Sequence, residues 1–261
     1  MFPTIFKFGP FTVYSLWVCV VIALIISSLL LIKKAKYERL DIRFVLDHSL
    51  SLLIGAAFMG RLVYFLTNWG YFGPLDVMTV LKQILYFWQP GYSFWGALIG
   101  FTLIFWYHAR KKEEDILEWA EISIIPIFIG IMIGNLGQFL DGQAYGSETI
   151  LPWGVVFENT NVKYTVPIHP TQIYSILVIL AIIFTRKKVL AKWPKLGEKH
   201  NWALFAISAY SLSRFGMEFL RGDDTFQIGP IRVGHVVTLI IFAISARILY
   251  KRTRTTKPKK K

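Results

Sequence analysis

Long apolar stretches of this chain alternate with short segments that hold most of its charged residues. The first stretch, Val13–Ile32, has 20 residues without a charge. As a helix it is about 30 Å long, which is enough to cross the apolar core of a bilayer. Six further stretches follow it, some of them shorter and more polar. The pattern predicts seven membrane-spanning helices, at Val13–Ile32, Phe44–Leu66, Ser93–His108, Trp119–Ile133, Gln172–Thr185, Trp202–Met217 and Gly234–Tyr250.

Basic residues are divided unevenly between the two ends of these helices. Of the 29 Lys and Arg, 22 lie in four clusters, at Lys33–Arg43, Arg110–Lys112, Arg186–Lys199 and Arg247–Lys261. Each segment on the other side has at most two. Because short loops rich in Lys and Arg stay in the cytoplasm, we expect an all-α integral membrane protein with its N-terminus outside and its C-terminus cytoplasmic.

The net charge of +13 must be interpreted with this topology. In a soluble protein it would indicate a nucleic-acid partner. Here the charge lies in short loops and a tail, where it would meet anionic lipid, so we expect a membrane and no nucleic acid. A single cysteine, Cys19, excludes an intramolecular disulfide and a multi-cysteine metal site. We expect neither a metal ion nor another cofactor.

The chain is predicted to form one polytopic membrane domain, residues 1–250, followed by a basic cytoplasmic tail, residues 251–261. Residues 134–170 are predicted to form a small extracytoplasmic head segment. Within it, Trp153–Phe157 and Val162–Ile168 have the composition of a β-hairpin. The aromatic segment Thr67–Tyr92 is predicted to lie along the membrane surface, with a short helix at Val77–Trp88.

Polar residues collect near the outer ends of the predicted helices. Ionisable groups at membrane depth are costly, so their presence suggests a functional site. We expect the following residues to converge on the outer-leaflet side: Arg61, Asn135, Gln138, His169, Gln172, Arg214, Glu218, Arg221 and His235.

Arg214, Glu218 and Arg221 have the spacing of residues that share one helical face. Two arginines with a carboxylate between them can hold a phosphodiester, because a guanidinium donates in a fork that matches phosphate oxygens. The same spacing equally suits a structural salt bridge at a helix end. The spacing alone leaves both interpretations open.

Several motifs, taken together and in order, resemble those of the prolipoprotein diacylglyceryl transferases. The resemblance covers nearly the whole chain. It implies seven transmembrane helices, an outside N-terminus and a small periplasmic head, in a multi-pass protein of the bacterial inner membrane. The matching motifs are GPFTVYSL, GRLVYFL, GYSFWGALIG, GNLGQFLDGQAYG, PWGVVF, HPTQIYS and RFGMEFLRGDD.

The resemblance also implies a reaction. Such enzymes move a diacylglyceryl group from phosphatidylglycerol to the thiol of a lipobox cysteine in a preprolipoprotein, and glycerol phosphate leaves. The active site faces the outer leaflet. Arg214 and Arg221 match family arginines, Glu218 matches the family acid, and Gly146 matches the glycine that ends the signature. We therefore predict Arg214, Glu218 and His235 as catalytic. The predicted substrate-binding residues are Arg61, Asn135, Gln138, Gly146, His169, Gln172 and Arg221.

The chain departs from the family pattern at several polar positions. The family usually has His at position 95, Arg and Asn at 135 and 138, Asn and Glu at 141 and 143, and Tyr at 16. His235 stands where the family often has Gln, and could supply an imidazole from another direction. An active transferase is the favoured hypothesis, and a catalytically silent relative that binds lipid or signal peptides is the alternative. A transporter is the weaker third. At the positions where the chain departs from the family pattern, its own residues are Leu16, Trp95, Asn135, Gln138, Asp141 and Gln143.

Overall fold

The computed structural model describes residues 3–8, 11–68, 91–158, 162–198, 200–225, 227–228 and 231–255, with the single positions 78, 82 and 85. Each of the seven predicted stretches coincides with one helix. The predicted helix at Val77–Trp88 lies almost wholly outside the described residues. The helices are α1 (Ser15–Tyr37), α2 (Arg43–Thr67), α3 (Phe94–Lys111), α4 (Ile116–Asp141), α5 (Thr171–Lys192), α6 (Asn201–Glu218) and α7 (Val233–Thr255).

Four of these helices, α1, α2, α4 and α7, are long and apolar enough to cross a membrane. Many of their large apolar side chains are exposed, as expected of helices surrounded by lipid. The protein is therefore an all-α integral membrane protein, as predicted. Membrane crossing by α3, α5 and α6 stays a prediction, and so does the orientation of the termini.

Two short antiparallel hairpins lead into helices, and the sequence analysis predicted neither. Strands β1 (Thr4–Phe8) and β2 (Phe11–Tyr14) precede α1. Strands β3 (Gln227–Ile228) and β4 (Ile231–Arg232) precede α7. The second hairpin brings the chain from the end of α6 to the beginning of α7.

The chain divides into two compact units, Met1–Glu38 with Leu117–Lys261, and Arg39–Ile116. In the second unit, α2 and α3 pack along a seam of small residues that includes Gly55, Gly60 and Gly100. Close backbone approach of this kind is common between membrane helices, because van der Waals packing drives their association. The predicted division into one membrane domain and a tail stays a prediction.

In the first unit, buried apolar side chains of α4, α5 and α6 form a core. Polar links join α6 to α7: the Ser208 and Ser245 hydroxyls lie 2.8 Å apart, and Arg252 Nε donates to Asn201 Oδ1 at 2.9 Å. Hydrogen bonds of this kind hold membrane helices together where water cannot compete. The core residues are Ile124, Phe128, Ile179, Ile182, Trp202, Ala203 and Ala206.

Helix α4 continues to Asp141, eight residues beyond its predicted end at Ile133. Asn135 and Gln138 therefore lie in its last turns and not in a loop. The glycines suggested a loop, but Gly137 instead permits close helix packing: a Cβ there would lie 2.7 Å from the Cβ of Cys19. Residues 134–141 of the predicted head segment therefore belong to α4, and the extracytoplasmic position of the remainder stays a prediction.

Residues 142–158 and 162–170 hold isolated β-bridges in place of the predicted hairpin of Trp153–Phe157 and Val162–Ile168. Val155 and Ile168 exchange two backbone hydrogen bonds of 3.0 Å, and Glu148 also pairs with Ile168. The predicted turn falls largely on residues 159–161, outside the described residues. Ile168, fully buried, is the centre of this small cluster.

Candidate functional site

Glu218, the last residue of α6, places a buried carboxylate between two arginines. Its Oε2 lies 3.8 Å from Arg214 Nη2 and 3.6 Å from Arg221 Nη1. The predicted shared helical face is correct for Arg214 and Glu218. It is wrong for Arg221, because α6 ends at Glu218 and Arg221 approaches from the connection that follows.

Arg221 is held mainly by Asp223. Its Nε donates to Asp223 Oδ1 at 2.8 Å, and its Nη2 donates to Asp223 Oδ2. Burial alone would lower the pKa of Arg221, but the hydrogen bonds and charges of Asp223 and Glu218 outweigh burial and raise it above its ordinary value. Arg221 is therefore a permanent cation whose fork is already paired with a carboxylate.

Arg232, in β4, completes this charge cluster. Its Nη1 lies 3.3 Å from Asp223 Oδ1, and its Nη2 donates to the Arg221 carbonyl at 3.0 Å. Asp223 and Arg232 were not among the predicted site residues. The sequence does carry acidic and basic residues in the short connection between the last two apolar stretches. In the sequence analysis, Asp223 was used only as part of the family motif, and Arg232 was not considered as a site residue.

Gly146 brings the end of the glycine-rich motif against Arg221. The two residues form an antiparallel bridge, and Ser147 N donates to the Leu220 carbonyl at 2.7 Å. On its other side, Gly146 N donates to the His169 carbonyl at 2.9 Å. A Cβ on Gly146 would fall 2.5 Å from that carbonyl oxygen, so only glycine fits between the two segments.

The beginning of α5 is tied to the same loop. Gln172 is almost fully buried, and its Nε2 donates to the Gln143 carbonyl at 2.6 Å. His169 Nδ1 lies 3.1 Å from the Tyr174 hydroxyl, which also accepts a hydrogen bond from Trp153 Nε1 at 2.9 Å. His169 and Gln172 thus fix the loop and helix around Gly146.

His235, in the first turn of α7, adjoins the buried carboxylate through its neighbour. A Cβ on Gly234 would lie 2.6 Å from Glu218 Cδ, so the helix begins directly against that carboxylate. The His235 ring packs edge-on against Phe219, with centroids 4.4 Å apart, and against Phe215. Its two ring nitrogens are buried and make no hydrogen bond to any residue that the structure describes.

Asn135 and Gln138 lie one turn apart on α4. Asn135 Nδ2 donates to the Ile131 carbonyl of its own helix at 2.8 Å. The Gln138 carbonyl accepts from Gln143 N at 2.8 Å, which joins α4 to the loop that carries Gly146. Both residues therefore border the loop, although among the described residues neither side chain forms a hydrogen bond with Arg214 or Arg221.

Arg61 belongs to the second unit. It is buried in α2, and its Nη1 donates to the Gly91 carbonyl at 2.8 Å. Its guanidinium also lies 5.8 Å from the ring centroids of Tyr64 and Tyr92. These contacts fix the segment that leads into α3, where Trp95 is half-buried beside Phe94.

Helical ends that meet around two carboxylates and three arginines define a polytopic membrane protein with a cationic site. The sequence profile of the prolipoprotein diacylglyceryl transferases matches residues 3–251. A phosphatidylglycerol–prolipoprotein diacylglyceryl transferase of Gloeobacter violaceus is 31% identical over 251 residues, which cover 94% of this chain and 90% of the relative. The enzyme of that name from Acaryochloris marina is 28% identical over 91% of this chain and 86% of its own. This chain belongs to the prolipoprotein diacylglyceryl transferase family and is a membrane-embedded transferase.

Proposed function

We propose that this protein transfers a diacylglyceryl group from phosphatidylglycerol to the thiol of a lipobox cysteine in a preprolipoprotein. The thiolate sulfur attacks the glyceryl carbon, and the bond from that carbon to the phosphate oxygen breaks. The electron pair stays on the oxygen, glycerol phosphate leaves, and a thioether remains. The proton lost by the thiol balances the charge gained by the departing phosphate. Family membership and the names of the relatives support this assignment.

Arg214 is the proposed ligand of the phosphate, and its geometry carries the proposal. Its side chain is 16% exposed, its nearest described carboxylate is 3.8 Å away, and it makes no hydrogen bond to any described residue. Its donors are therefore available to phosphate oxygens as the bond breaks. Arg221, whose fork is paired with Asp223, is proposed to position Glu218 and strengthen the local positive field.

His235 is the proposed base for the thiol, because both of its ring nitrogens are without hydrogen bonds in the described part of the chain. Glu218, beside it through Gly234, is proposed to orient Arg214. Gly146, His169 and Gln172 are proposed to shape the substrate cavity, and Asn135 and Gln138 to line its edge. A role for Arg61 in phosphate binding stays a prediction.

The proposed location is the bacterial inner membrane, with the site facing the outer leaflet. The distribution of Lys and Arg supports this orientation, because the four basic clusters then lie in the cytoplasm. The substrate would arrive from the same side, since a lipobox cysteine follows a signal peptide that crosses the membrane.

The proposed function is tested by transfer of radiolabelled diacylglyceryl from phosphatidylglycerol to a lipobox peptide, using the purified protein. A charge-assisted contact to phosphate contributes about 1.5–3 kcal/mol, so Arg214→Ala should lower kcat/KM at least about tenfold. Arg214→Lys should also lose most activity, since an ammonium cannot donate in a planar fork. Arg247→Ala, which removes an exposed arginine of α7, is the matched control.

A peptide with Ser in place of its Cys should accept no lipid. If the wild-type protein binds lipid and peptide but forms no thioether, the transferase proposal is wrong and the silent-binder alternative takes its place. Full activity in both Arg214 variants would contradict the proposal that Arg214 binds the phosphate.

A further inference from the structure

A groove in the first unit lies far from the candidate site. It encloses about 220 Å³, and its walls come from α4 and α5. The volume is smaller than that of most pockets for whole small molecules, and the walls are apolar. A groove of this kind suits part of one hydrocarbon chain. Its lining includes Ile124, Ile125, Phe128, Ile182 and Ile183.

The position of the groove along α5 separates it from the candidate site. Gln172 is at the beginning of that helix, and Arg186 lies at the mouth of the groove fourteen residues later. At the helical rise of 1.5 Å per residue, the two are about 21 Å apart. The groove therefore lies towards the other end of α5, at the cluster Arg186–Lys199, which is predicted to face the opposite membrane surface.

The mouth of the groove is positively charged, and one of its hydrogen-bond donors has no partner among the described residues. Arg186 and Lys187 both line it, together with Trp202 of α6. The Arg186 guanidinium lies over the Trp202 ring, 5.3 Å from its centroid, which holds it in place. Arg186 Nε is buried and makes no hydrogen bond to any residue that the structure describes. A buried donor without a partner is costly, and an anionic oxygen would satisfy it.

We propose that this groove binds an anionic phospholipid, with part of one acyl chain against the isoleucines and the phosphate at Arg186 and Lys187. Charge complementarity selects this occupant: two cations at the mouth match a phosphate whose headgroup adds no positive charge. The apolar walls match a hydrocarbon chain. Basic pockets between membrane helices on the cytoplasmic side bind anionic headgroups in this way.

The test uses the full chain in nanodiscs that contain a small fraction of phosphatidylglycerol with a diazirine in its acyl chain. Phosphatidylcholine with the same chain is the comparator. After irradiation, chymotryptic peptides are mapped by mass spectrometry, so that substitution of basic residues does not alter the cleavage pattern. The proposal expects labelling of residues 124–128 and 182–186 by phosphatidylglycerol to exceed labelling by phosphatidylcholine several-fold.

Variants separate specific binding from ordinary contact with bilayer lipid. The double variant Arg186→Gln with Lys187→Gln should abolish the preference for phosphatidylglycerol at these peptides. Lys188→Gln, an exposed neighbour outside the groove, should retain it. Ile183→Trp should fill the groove and reduce labelling by both lipids, measured as the sum over the two peptides that the added chymotryptic site creates.

Labelling of peptides elsewhere in the chain serves as an internal reference, except for peptides of the proposed transferase site, which also takes phosphatidylglycerol. Equal labelling of the groove by the two lipids would overturn the proposal. So would an unchanged preference in the double variant, or the same loss in Lys188→Gln.

Discussion

Asp223 and Asp224 are neighbours in the chain, yet their carboxylates have opposite surroundings. Asp223 is 13% exposed and pairs with both Arg221 and Arg232. Asp224 is 86% exposed and, among the described residues, forms an ion pair with Lys163 at 2.9 Å. That hydrogen bond raises the pKa of Lys163, but an exposed pair of this kind contributes little to stability. The sequence motif alone does not distinguish the two acids.

Asp223→Asn should be far more harmful than Asp224→Asn. Removing Asp223 leaves two largely buried guanidinium groups without their shared counter-ion, which should cost about 3 kcal/mol of stability. Asp224→Asn should cost less than about 1 kcal/mol. Thermal unfolding in detergent and the lipid-transfer assay measure both effects. Similar melting temperatures for the two variants would contradict the central position of Asp223.

Residue roles were only partly accessible from the sequence. The pairing of Arg214 with Glu218 follows from helical spacing, and the structure confirms that contact. The capture of Arg221 by Asp223 depends on where α6 ends, which spacing does not reveal. Arg232 lies eleven residues from Arg221, and only the hairpin of β3 and β4 brings their groups together.

At the scale of elements, the seven helices could be predicted because uninterrupted apolar runs leave few alternatives. Their ends could not, and α4 is the clearest case. Gly137 looked like a loop residue, whereas its lack of a side chain permits packing against Cys19. Glycine occurs both in turns and where two helices pack closely. Only the position of the neighbouring helix distinguishes the two cases.

Gly146→Ala tests whether the glycine-rich loop must approach His169 and Arg221 directly. The added methyl would overlap the His169 backbone, so the bridge to Arg221 should separate. We expect a loss of about 1–3 kcal/mol in stability and a clear fall in transfer. Gly197→Ala is the control, because its nearest atom outside the local backbone lies 3.8 Å away. Equal effects of the two substitutions would refute a special role for Gly146.

At the scale of the whole molecule, charge distribution is the main argument for orientation. The basic clusters at the ends of α1, α3, α5 and α7 place these ends in the cytoplasm if the positive-inside rule holds. In that orientation the candidate site is expected to face outwards, on the side from which the proposed substrates would arrive.

Cysteine labelling in intact cells tests this orientation. Ile150→Cys, at a fully exposed position of the head segment, should react with a membrane-impermeant maleimide. Lys188→Cys should react only after permeabilisation. The native Cys19 is buried, and a Cys19→Ser background removes it from the measurement. Labelling of Lys188→Cys in sealed cells, together with protection of Ile150→Cys, would contradict the predicted orientation and favour the opposite one.

The polar links between α6 and α7 limit how the protein can move. A slide of one helix past the other by one turn, about 5.4 Å, would break every link at once. The links are Asn201 with Arg252 and Ser208 with Ser245. We therefore expect the two helices to keep their register, because both hydrogen bonds would have to break together for such a slide. If Arg214 binds the lipid phosphate as proposed, we expect the lipid to enter between other helices, at an opening that leaves both links between α6 and α7 in place.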